Sequence, residues 1–199
     1  NVSGGTVFYT GFDVPAFSAY RERLATAQPA SWSRDEQLAF WLNAYNASVI
    51  ALVLQHPGFR LVSNADGFFD RDSVRIAGRT LTLNSIENEV IRPLFREPLV
   101  YFGVVYPAVS SPRLPNRAFR AATVRKVLRQ QARTFIRSEE GAVLDVGANV
   151  LMLSQLFEWH RADFETEGRT LLDFVVQHVR DTEAAYIAIH RKDLTIKFL

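Results

Sequence analysis

Hydroxyl and imidazole side chains are the groups of this chain best suited to nucleophilic chemistry. Ser110 and Ser111 stand side by side in residues 108–116, a proline- and serine-containing stretch that is predicted to be a loop. A serine hydroxyl becomes a nucleophile only beside a base. The candidate bases are the four histidines, His56, His160, His178 and His190. Neither serine lies in a G-x-S-x-G motif or begins an S-x-x-K motif, so the spacing does not favour a serine-dependent hydrolase.

Two carboxamides lie inside a segment that is otherwise mostly apolar. Ser33 and Glu36 form an S-x-x-E capping box, which predicts the start of a helix over residues 34–55. Apolar residues surround this helix on all sides, which indicates that it is buried. Asn43 and Asn46 lie three residues apart on one side of it, and a buried amide without partners costs about 1–3 kcal/mol. Both amides are therefore expected to be largely buried and hydrogen-bonded, either to a neighbouring loop or in a binding site.

Glu87 is the carboxylate with the clearest local context. It follows Asn84 by three residues, and this N-x-x-E pattern predicts a helix over residues 85–95 in which Glu87 hydrogen-bonds back to the cap. The alternative is a carboxylate that takes part in a site. Asn88 and Glu89, beside it, are expected at the surface.

The composition is that of a globular protein and excludes several kinds of site. The chain has 199 residues, of which 48% are hydrophobic, and its 15 phenylalanines suffice for an aromatic core. The absence of cysteine excludes disulfides, thiolate metal sites, iron–sulfur clusters and a cysteine nucleophile. The histidine and glycine spacings match no metal or phosphate-binding motif, so no metal or other cofactor is predicted. No transmembrane segment is predicted, because no apolar run reaches the roughly 20 residues that a spanning helix needs.

Positive charge is concentrated in one segment, although the net charge is only +2. Residues 117–137 contain no acidic residue and seven basic ones, Arg117, Arg120, Arg125, Lys126, Arg129, Arg133 and Arg137. A helix is predicted over residues 123–136, because Val124, Val127, Leu128, Gln131 and Phe135 form one stripe. Arg125, Arg129 and Arg133 fall on the other side. A solvated helix face has this pattern, and so does a surface that attracts an anionic partner.

The remaining pattern mixes strand and helix signals without βαβ regularity. Strands or extended segments are predicted over residues 7–10, 74–77, 80–83, 100–106, 142–146, 149–153 and 194–198. The first hairpin is expected to turn at Gly78-Arg79, and the second at Gly147. Further helices are predicted over residues 14–26, 155–165 and 171–181. This pattern predicts an α+β fold, with a single domain over residues 1–199 and an antiparallel sheet packed by helices.

Three motifs on these elements resemble one known family. FWLNAYNA (residues 40–47), IEN (residues 86–88) and FEWHRADF (residues 157–164) occur in the order found in the bacterial and plant family called domain of unknown function 547. The likeness runs from about Trp32 to Leu199. The chain resembles a divergent member of this family.

The resemblance implies that the family's usual reactive side chains are replaced here. The family pattern I-H-F-A-L-N-C-A-S-x-S-C-P-P-L aligns with residues 100–114. Its histidine falls on Tyr101, and its two cysteines fall on Tyr106 and Ser111. A histidine, a cysteine and a nearby carboxylate such as Glu87 resemble the parts of a thiol site.

The last motif carries a further change. The family pattern F-x-W-Y-x-x-D-F aligns with residues 157–164, so His160 stands where the family has a tyrosine, and Asp163 is retained. Asp163 is expected to form a buried salt bridge or a helix contact. Replacement of one amphipathic ring by another favours a packing role for His160, and a reactive role is the alternative.

These replacements imply a non-catalytic function. The leading prediction is a binding or accessory subunit of a bacterial envelope or multiprotein assembly, with other protein subunits as partners. The predicted binding residues are Asn43, Asn46, Tyr106, Arg125, Arg129 and Arg133. The alternative is a hydrolase or transferase that uses Glu87, Tyr101, Ser111 and His160. An open, wet pocket around these groups would favour the enzyme, and a cleft filled by the Tyr101 and Tyr106 rings would favour the binding protein.

The resemblance also carries expectations about location and length. Bacterial members often carry a signal peptide, which implies a periplasmic or secreted protein, and the cytoplasm is the alternative. Relatives often continue past the last strand, which implies that this chain stops short of the family's C-terminal end.

Overall fold

One long buried helix organises the fold. The computed structural model describes residues 2–3, 6–9, 12–56, 67–106, 111–166 and 168–199. The central helix, α2 (Arg34–Gln55), begins at the predicted capping box: Ser33 Oγ accepts the Glu36 N–H, and the Glu36 carboxylate accepts the Ser33 N–H. Most side chains between Leu38 and Leu52 are buried, as the sequence predicts.

Short helices and strands come before and after α2 in the chain. Before α2 come β1 (Val2–Ser3), β2 (Thr6–Val7), α1 (Val14–Thr26) and a short 3-10 helix (Pro29–Ser31). After α2 come β3 (Ser73–Ile76), β4 (Arg79–Thr82), α3 (Leu83–Ser85), a π-helical stretch (Ile86–Ile91), α4 (Arg92–Phe95) and a second 3-10 helix (Pro98–Phe102). The C-terminal part contains α5 (Val124–Ile136), β5 (Ala142–Asp145), β6 (Val150–Leu153), α6 (Gln155–Trp159), α7 (Arg161–Phe164), α8 (Leu171–Val176), α9 (Asp181–His190) and β7 (Thr195–Phe198). These elements confirm the predicted α+β fold.

The strands form small sheets. Antiparallel pairing joins β1 to β2, β3 to β4 and β5 to β6. The last strand, β7, pairs with β6 in the parallel direction, so the three-stranded sheet β5-β6-β7 is mixed. The predicted hairpins and terminal strand are present, and the parallel pairing of β7 is the addition.

The turn between β3 and β4 also completes a helix. It lies at Ala77-Gly78, one residue earlier than predicted, and both residues have positive φ, 51° and 74°. That backbone is typical of the tight two-residue hairpin turn. The N–H groups of Ala77 and Gly78 donate to the carbonyls of Leu24 and Ala25 at 2.9 and 2.7 Å. The turn thus satisfies carbonyl groups that the end of α1 would leave unpaired.

The predicted strand over residues 100–106 is wrong. Its first part belongs to the 3-10 helix Pro98–Phe102, which packs against α5 and is buried from Val100 onward. A Cβ atom at Gly103 would lie 2.6 Å from Leu128 and 3.1 Å from Leu42, so only glycine permits this close approach. A short buried apolar run has the same composition as a strand or a helix, which explains the error.

Several helix and strand boundaries also differ from the predictions. The strand predicted over residues 7–10 corresponds to Thr6–Val7, and position 10 lies outside the described residues. The helix predicted over residues 155–165 breaks at His160. The helix predicted to run to residue 181 ends at Val176. The sequence did not predict α9, which begins at Asp181.

The helix cap predicted for Glu87 is also wrong. Thr82, not Asn84, caps this helix, because the Thr82 Oγ1 atom accepts the Ser85 N–H at 3.1 Å. The shift of the cap places Glu87 in the π-helical stretch, where its side chain is buried. Asn88 and Glu89 are exposed, as predicted.

By length and composition, α2 could also cross a membrane. Most of its apolar window is buried within the protein, and the core helix of a soluble protein passes the same test.

The two asparagines of α2 hold distant backbone segments. Asn43 Nδ2 donates to the Phe119 carbonyl at 2.9 Å, and its Oδ1 accepts the Phe119 N–H at 2.8 Å. Asn46 Nδ2 donates to the Gly103 carbonyl at 2.8 Å, and its Oδ1 accepts the Val105 N–H at 3.0 Å. Asn46 is 7% exposed, and Asn43 is partly buried. The predicted hydrogen bonding is confirmed for both.

We expect Asn43→Ala and Asn46→Ala each to lower the free energy of unfolding by about 1–3 kcal/mol, because each leaves a backbone N–H and a carbonyl without their partner. Urea denaturation monitored by fluorescence measures the change. Asn84→Ala, at an exposed position, serves as the matched control. Unchanged midpoints for both buried variants would contradict the structural role.

Candidate functional site

Four of the predicted site residues come together beside α2. Glu87 comes from the π-helical stretch, Tyr101 from the second 3-10 helix, and Tyr106 from the chain just after it. His160 lies between α6 and α7, at the residue where the predicted helix breaks. These side chains, with Arg92 and Asp163, are called the Glu87 cluster below.

A chain of hydrogen bonds runs through the centre of the cluster. The Tyr106 hydroxyl donates to Glu87 Oε1 at 3.0 Å and lies 3.2 Å from His160 Nε2. A neutral His160 carries its hydrogen on one ring nitrogen, and the tautomer protonated at Nε2 donates to the Tyr106 oxygen while the Tyr106 hydroxyl donates to Glu87. His160 Nε2 also lies 3.6 Å from Glu87 Oε1.

Tyr101 closes the cluster on the other side. Its ring stacks on the His160 ring with centroids 3.9 Å apart and an interplanar angle of 17°. Its hydroxyl donates to Asp163 Oδ2, which Arg92 also binds through Nε and a terminal nitrogen, both at 2.8 Å. Asp163 forms the predicted salt bridge, with Arg92 as the partner that the sequence did not indicate, but the pair is partly exposed and not buried, since each side chain is 34% exposed.

The centre of the cluster is largely removed from solvent, whereas its Arg92–Asp163 edge is partly exposed. The Tyr101 and Glu87 residues are 1% and 6% exposed, and the His160 side chain is 11% exposed. Tyr45 and Trp159 pack edge-on against the Tyr106 ring, with centroids 6.4 and 6.5 Å away. The tyrosine rings therefore fill the cleft between these elements.

Burial sets the charge state of the cluster. It raises the pKa of Glu87 from 4.5 to about 7, although the Tyr106 hydrogen bond and the Arg92 charge lower it. It lowers the pKa of His160 from 6.5 to about 4, and the Arg92 charge acts in the same direction. Burial and then Glu87 raise the pKa of Tyr106 well above its usual value. Between about pH 4 and 7, Glu87, Tyr106 and His160 are thus all neutral.

Two buried polar atoms in or beside the cluster lack a partner within the part of the chain that the structure describes. They are His160 Nδ1 and the hydroxyl oxygen of Tyr45, which packs against Tyr106. An unprotonated Nδ1 corresponds to the tautomer in which Nε2 is the donor, because a neutral imidazole carries one hydrogen. Nothing in the sequence indicated that Tyr45 would face this cluster.

The remaining serine and histidine candidates lie elsewhere. Ser111 Oγ accepts the Tyr106 N–H at 3.0 Å and donates to the Pro112 carbonyl at 3.3 Å, so its hydroxyl is bonded to the loop backbone. Ser110 lies outside the described residues. His56 contacts Asp72 at 2.7 Å, His178 contacts the Phe174 carbonyl at 2.8 Å, and His190 lies 3.5 Å from Asp193.

The basic helix α5 carries charges in two different settings. Arg129 and Arg133 are exposed, as predicted, and together with exposed Lys126 they are called the basic face below. Arg125 differs, because it forms ion pairs with Asp35 at 2.7 Å and Glu97 at 2.9 Å. The expectation that Arg125 is a free surface charge is therefore wrong: it links α5 to the start of α2 and to Glu97.

Among the described residues, no group of three or more His, Asp or Glu side chains is placed to hold a metal ion. The Glu87 cluster itself combines one histidine, two carboxylates and an arginine that already binds one of them.

The protein thus belongs to the α+β class and carries a cluster of polar and aromatic side chains beside its central helix. Its sequence matches the model of one family, described as Protein of unknown function, DUF547, over residues 29–136. The chain belongs to this family. Comparison with curated proteins and with solved structures gave no match.

Tyr101 and His160, which lie far apart in the sequence, form one stacked pair. The sequence alone could not show that the two positions touch.

The opposite pKa shifts of Glu87 and His160 predict how the free energy of unfolding depends on pH. Between pH 4.5 and 7 folded Glu87 keeps a proton that the unfolded chain releases, so its contribution to stability falls as pH rises. Between pH 6.5 and 4 folded His160 lacks a proton that the unfolded chain binds, so its contribution falls as pH decreases. The two effects cancel between about pH 4.5 and 6.5.

We therefore expect each single variant to show the pH dependence of the free energy of unfolding that the remaining residue contributes. In His160→Gln the free energy of unfolding should fall by roughly 2–3 kcal/mol as pH rises from 4.5 to 7, and in Glu87→Gln it should fall similarly as pH drops from 6.5 to 4. Urea denaturation at a series of pH values measures both. Glu89→Gln, an exposed carboxylate, is the control. Parallel profiles for all four proteins would refute the assignment.

Proposed function

We propose that this protein is a non-catalytic binding protein, an accessory subunit of a multiprotein assembly of the bacterial envelope. The observation that carries the proposal is the closure of the Glu87 cluster by the rings of Tyr101 and Tyr106. An active site must admit a substrate to its reactive atoms, and these rings occupy that position. The envelope location is supported by the resemblance to bacterial members that carry signal peptides.

The chemistry of the cluster supports the same proposal. A nucleophile needs a lowered pKa or an adjacent base. The pKa of Tyr106 is raised, burial lowers the pKa of His160 and makes it a weak base, and Ser111 is bonded to the loop backbone. Each polar group of the cluster is thus used in a way that favours packing over reaction.

The basic face of α5 is the surface that we propose for the partner. Lys126, Arg129 and Arg133 are exposed on the side of α5 opposite its buried stripe. Arg125, at the edge of this face, is engaged by Asp35 and Glu97 and holds the helix in place. A cationic surface of this kind attracts an acidic partner and adds a salt-sensitive contribution to binding.

The alternative, a hydrolase or transferase, is supported by a specific observation. The pKa of Glu87 is about 7, which suits a general base near neutral pH, and the carboxylate lies in contact with Tyr106 and near His160. For this alternative, the Tyr106 ring would have to leave the position it occupies in the structure.

The first test separates these two functions. We expect a fluorophosphonate probe, which labels activated serines, to leave the native protein unlabelled between pH 6 and 8, because the Ser111 hydroxyl has no base as partner. Mass spectrometry of the intact protein measures the label, with Ser111→Ala as the control variant. Labelling of the wild type that is lost in Ser111→Ala would support the hydrolase.

The second test addresses the partner surface. Proteins that co-purify with the chain from its native host are expected to decrease strongly for the double variant Arg129→Glu and Arg133→Glu, because the partner surface loses its charge complementarity. Arg75→Glu with Arg79→Glu, two exposed arginines of the β3–β4 hairpin, is the matched control.

Folding of these variants is checked in parallel. Arg129→Glu and Arg133→Glu should hardly change stability, whereas Arg125→Glu should lower it by about 1–2 kcal/mol, because it replaces two ion pairs with repulsion. Equal partner recovery from the wild type and the Arg129/Arg133 variant would remove the basic face from the proposal.

A further inference from the structure

A groove with a volume of about 1010 Å³ lies between the segment of residues 111–123 and one side of α5. Apolar side chains that include Pro112, Pro115 and Val127 line part of it. Its volume is at the upper end of the range of about 300–1,000 Å³ that is typical of ligand pockets. The groove is separate from the Glu87 cluster, because none of the cluster residues lines it.

The charges of the groove are mainly positive. Arg113, Arg117 and Arg120 line it, and Glu140 is the acidic residue among the side chains found to line it. Glu140 already has partners within the protein, because a hydrogen bond from Ser138 and the charge of Arg113 lower its pKa. Arg117 and Arg120 are exposed on the same stretch of chain. The groove therefore complements a ligand with negative charge.

The α5 side of the groove carries amide and hydroxyl groups. Gln130, Gln131 and Thr134 line it. Gln131 Nε2 donates to the Arg113 carbonyl at 3.1 Å, and its Oε1 is buried without a hydrogen-bond partner among the described residues. Such an oxygen requires an N–H or O–H donor, and leaving it unpaired costs about 1–3 kcal/mol.

We infer that this groove binds an acidic peptide segment of a partner protein, with carboxylates against Arg117 and Arg120 and backbone groups against Gln130, Gln131 and Thr134. The inference rests on the proposed function, because it names the segment through which the partner of an accessory subunit docks. The groove adjoins the basic face of α5, so a partner that occupies the groove also meets Lys126 and Arg133.

The polar groups of the groove favour a peptide over an anionic lipid. A peptide supplies N–H donors for Gln131 Oε1 and alternates polar with apolar groups, as the groove does. An acyl chain supplies none, and it would leave the amide and hydroxyl groups of α5 buried without partners.

The experiment measures fluorescence anisotropy with a labelled short peptide of alternating glutamate and leucine. The same peptide with glutamine in place of glutamate is the charge control, and vesicles of phosphatidylglycerol are the lipid control. The proteins are the wild type, the double variant Arg117→Glu with Arg120→Glu, and Thr134→Trp, which fills the groove with an indole. Arg75→Glu with Arg79→Glu again serves as the matched control.

We expect the glutamate peptide to bind the wild type and the hairpin control equally, and to bind both groove variants at least about tenfold more weakly, which corresponds to about 1.4 kcal/mol. The glutamine peptide should bind weakly to all four proteins, and raised salt should weaken the binding of the glutamate peptide. If Thr134→Trp lowers the thermal midpoint, Gln130→Trp at a neighbouring exposed position replaces it.

Three results would overturn the inference. The first is a wild type that does not bind the glutamate peptide. The second is groove variants that bind the peptide as tightly as the wild type does. The third is vesicle binding that is weakened in the groove variants while peptide binding is unchanged in them. The last result would identify a lipid surface.

Failure here is distinguishable from failure of the proposed function. If the Arg129/Arg133 variant loses its partner and the groove variants keep both the partner and the peptide, the proposed function stands and the groove assignment falls. If serine labelling identifies a hydrolase, the proposed function falls whatever the peptide result.

Discussion

Two amides on one buried helix hold the rest of the structure in place. Asn46 binds the backbone at Gly103 and Val105, which fixes the segment that carries Tyr101 and Tyr106. Asn43, one helical turn earlier, binds both backbone groups of Phe119 and so fixes the segment that forms one wall of the groove. Because α2 is apolar elsewhere, these bonds form where water cannot compete, and each group left unpaired would be costly. Both candidate sites therefore depend on the same face of the same helix.

The sequence predicts what depends on neighbouring residues and fails where distant segments decide. The Ser33–Glu36 capping box, the two central hairpins and α5 follow from local patterns, and all are present. The cap predicted at Asn84 is wrong because Thr82 and Asn84 are both good caps, and packing rather than local preference decides between them. The strand predicted at residues 100–106 is wrong because the burial of the 3-10 helix against α5 is a property of the assembled fold. Arg125 looked like its exposed neighbours, since nothing local links it to Asp35 or Glu97.

The Glu87 cluster combines aromatic contacts with an internal polar network. Its rings fill the space between the elements by stacking and by edge-on contacts. Glu87, Tyr106 and His160 are neutral between about pH 4 and 7, which suits a low-dielectric interior, and the charged pair Arg92–Asp163 lies at the more exposed edge of the cluster.

The π-helical stretch has a consequence for insertions and deletions. The Arg92 N–H bonds to the Glu87 carbonyl, five residues back, and both side chains face the cluster. In a regular α-helix five residues rotate by about 500°, so the second side chain would point about 140° away from the first. A π-helical turn of this kind holds one residue more than an α-helical turn. Winding the same residues as a regular α-helix would therefore rotate Glu87 and Arg92 apart, whereas removing one residue between them would leave them four apart and about 40° from each other on one face. The cluster thus depends on the π-helical turn only when these side chains are five residues apart, and homologous sequences should be aligned here with a single-residue gap in mind.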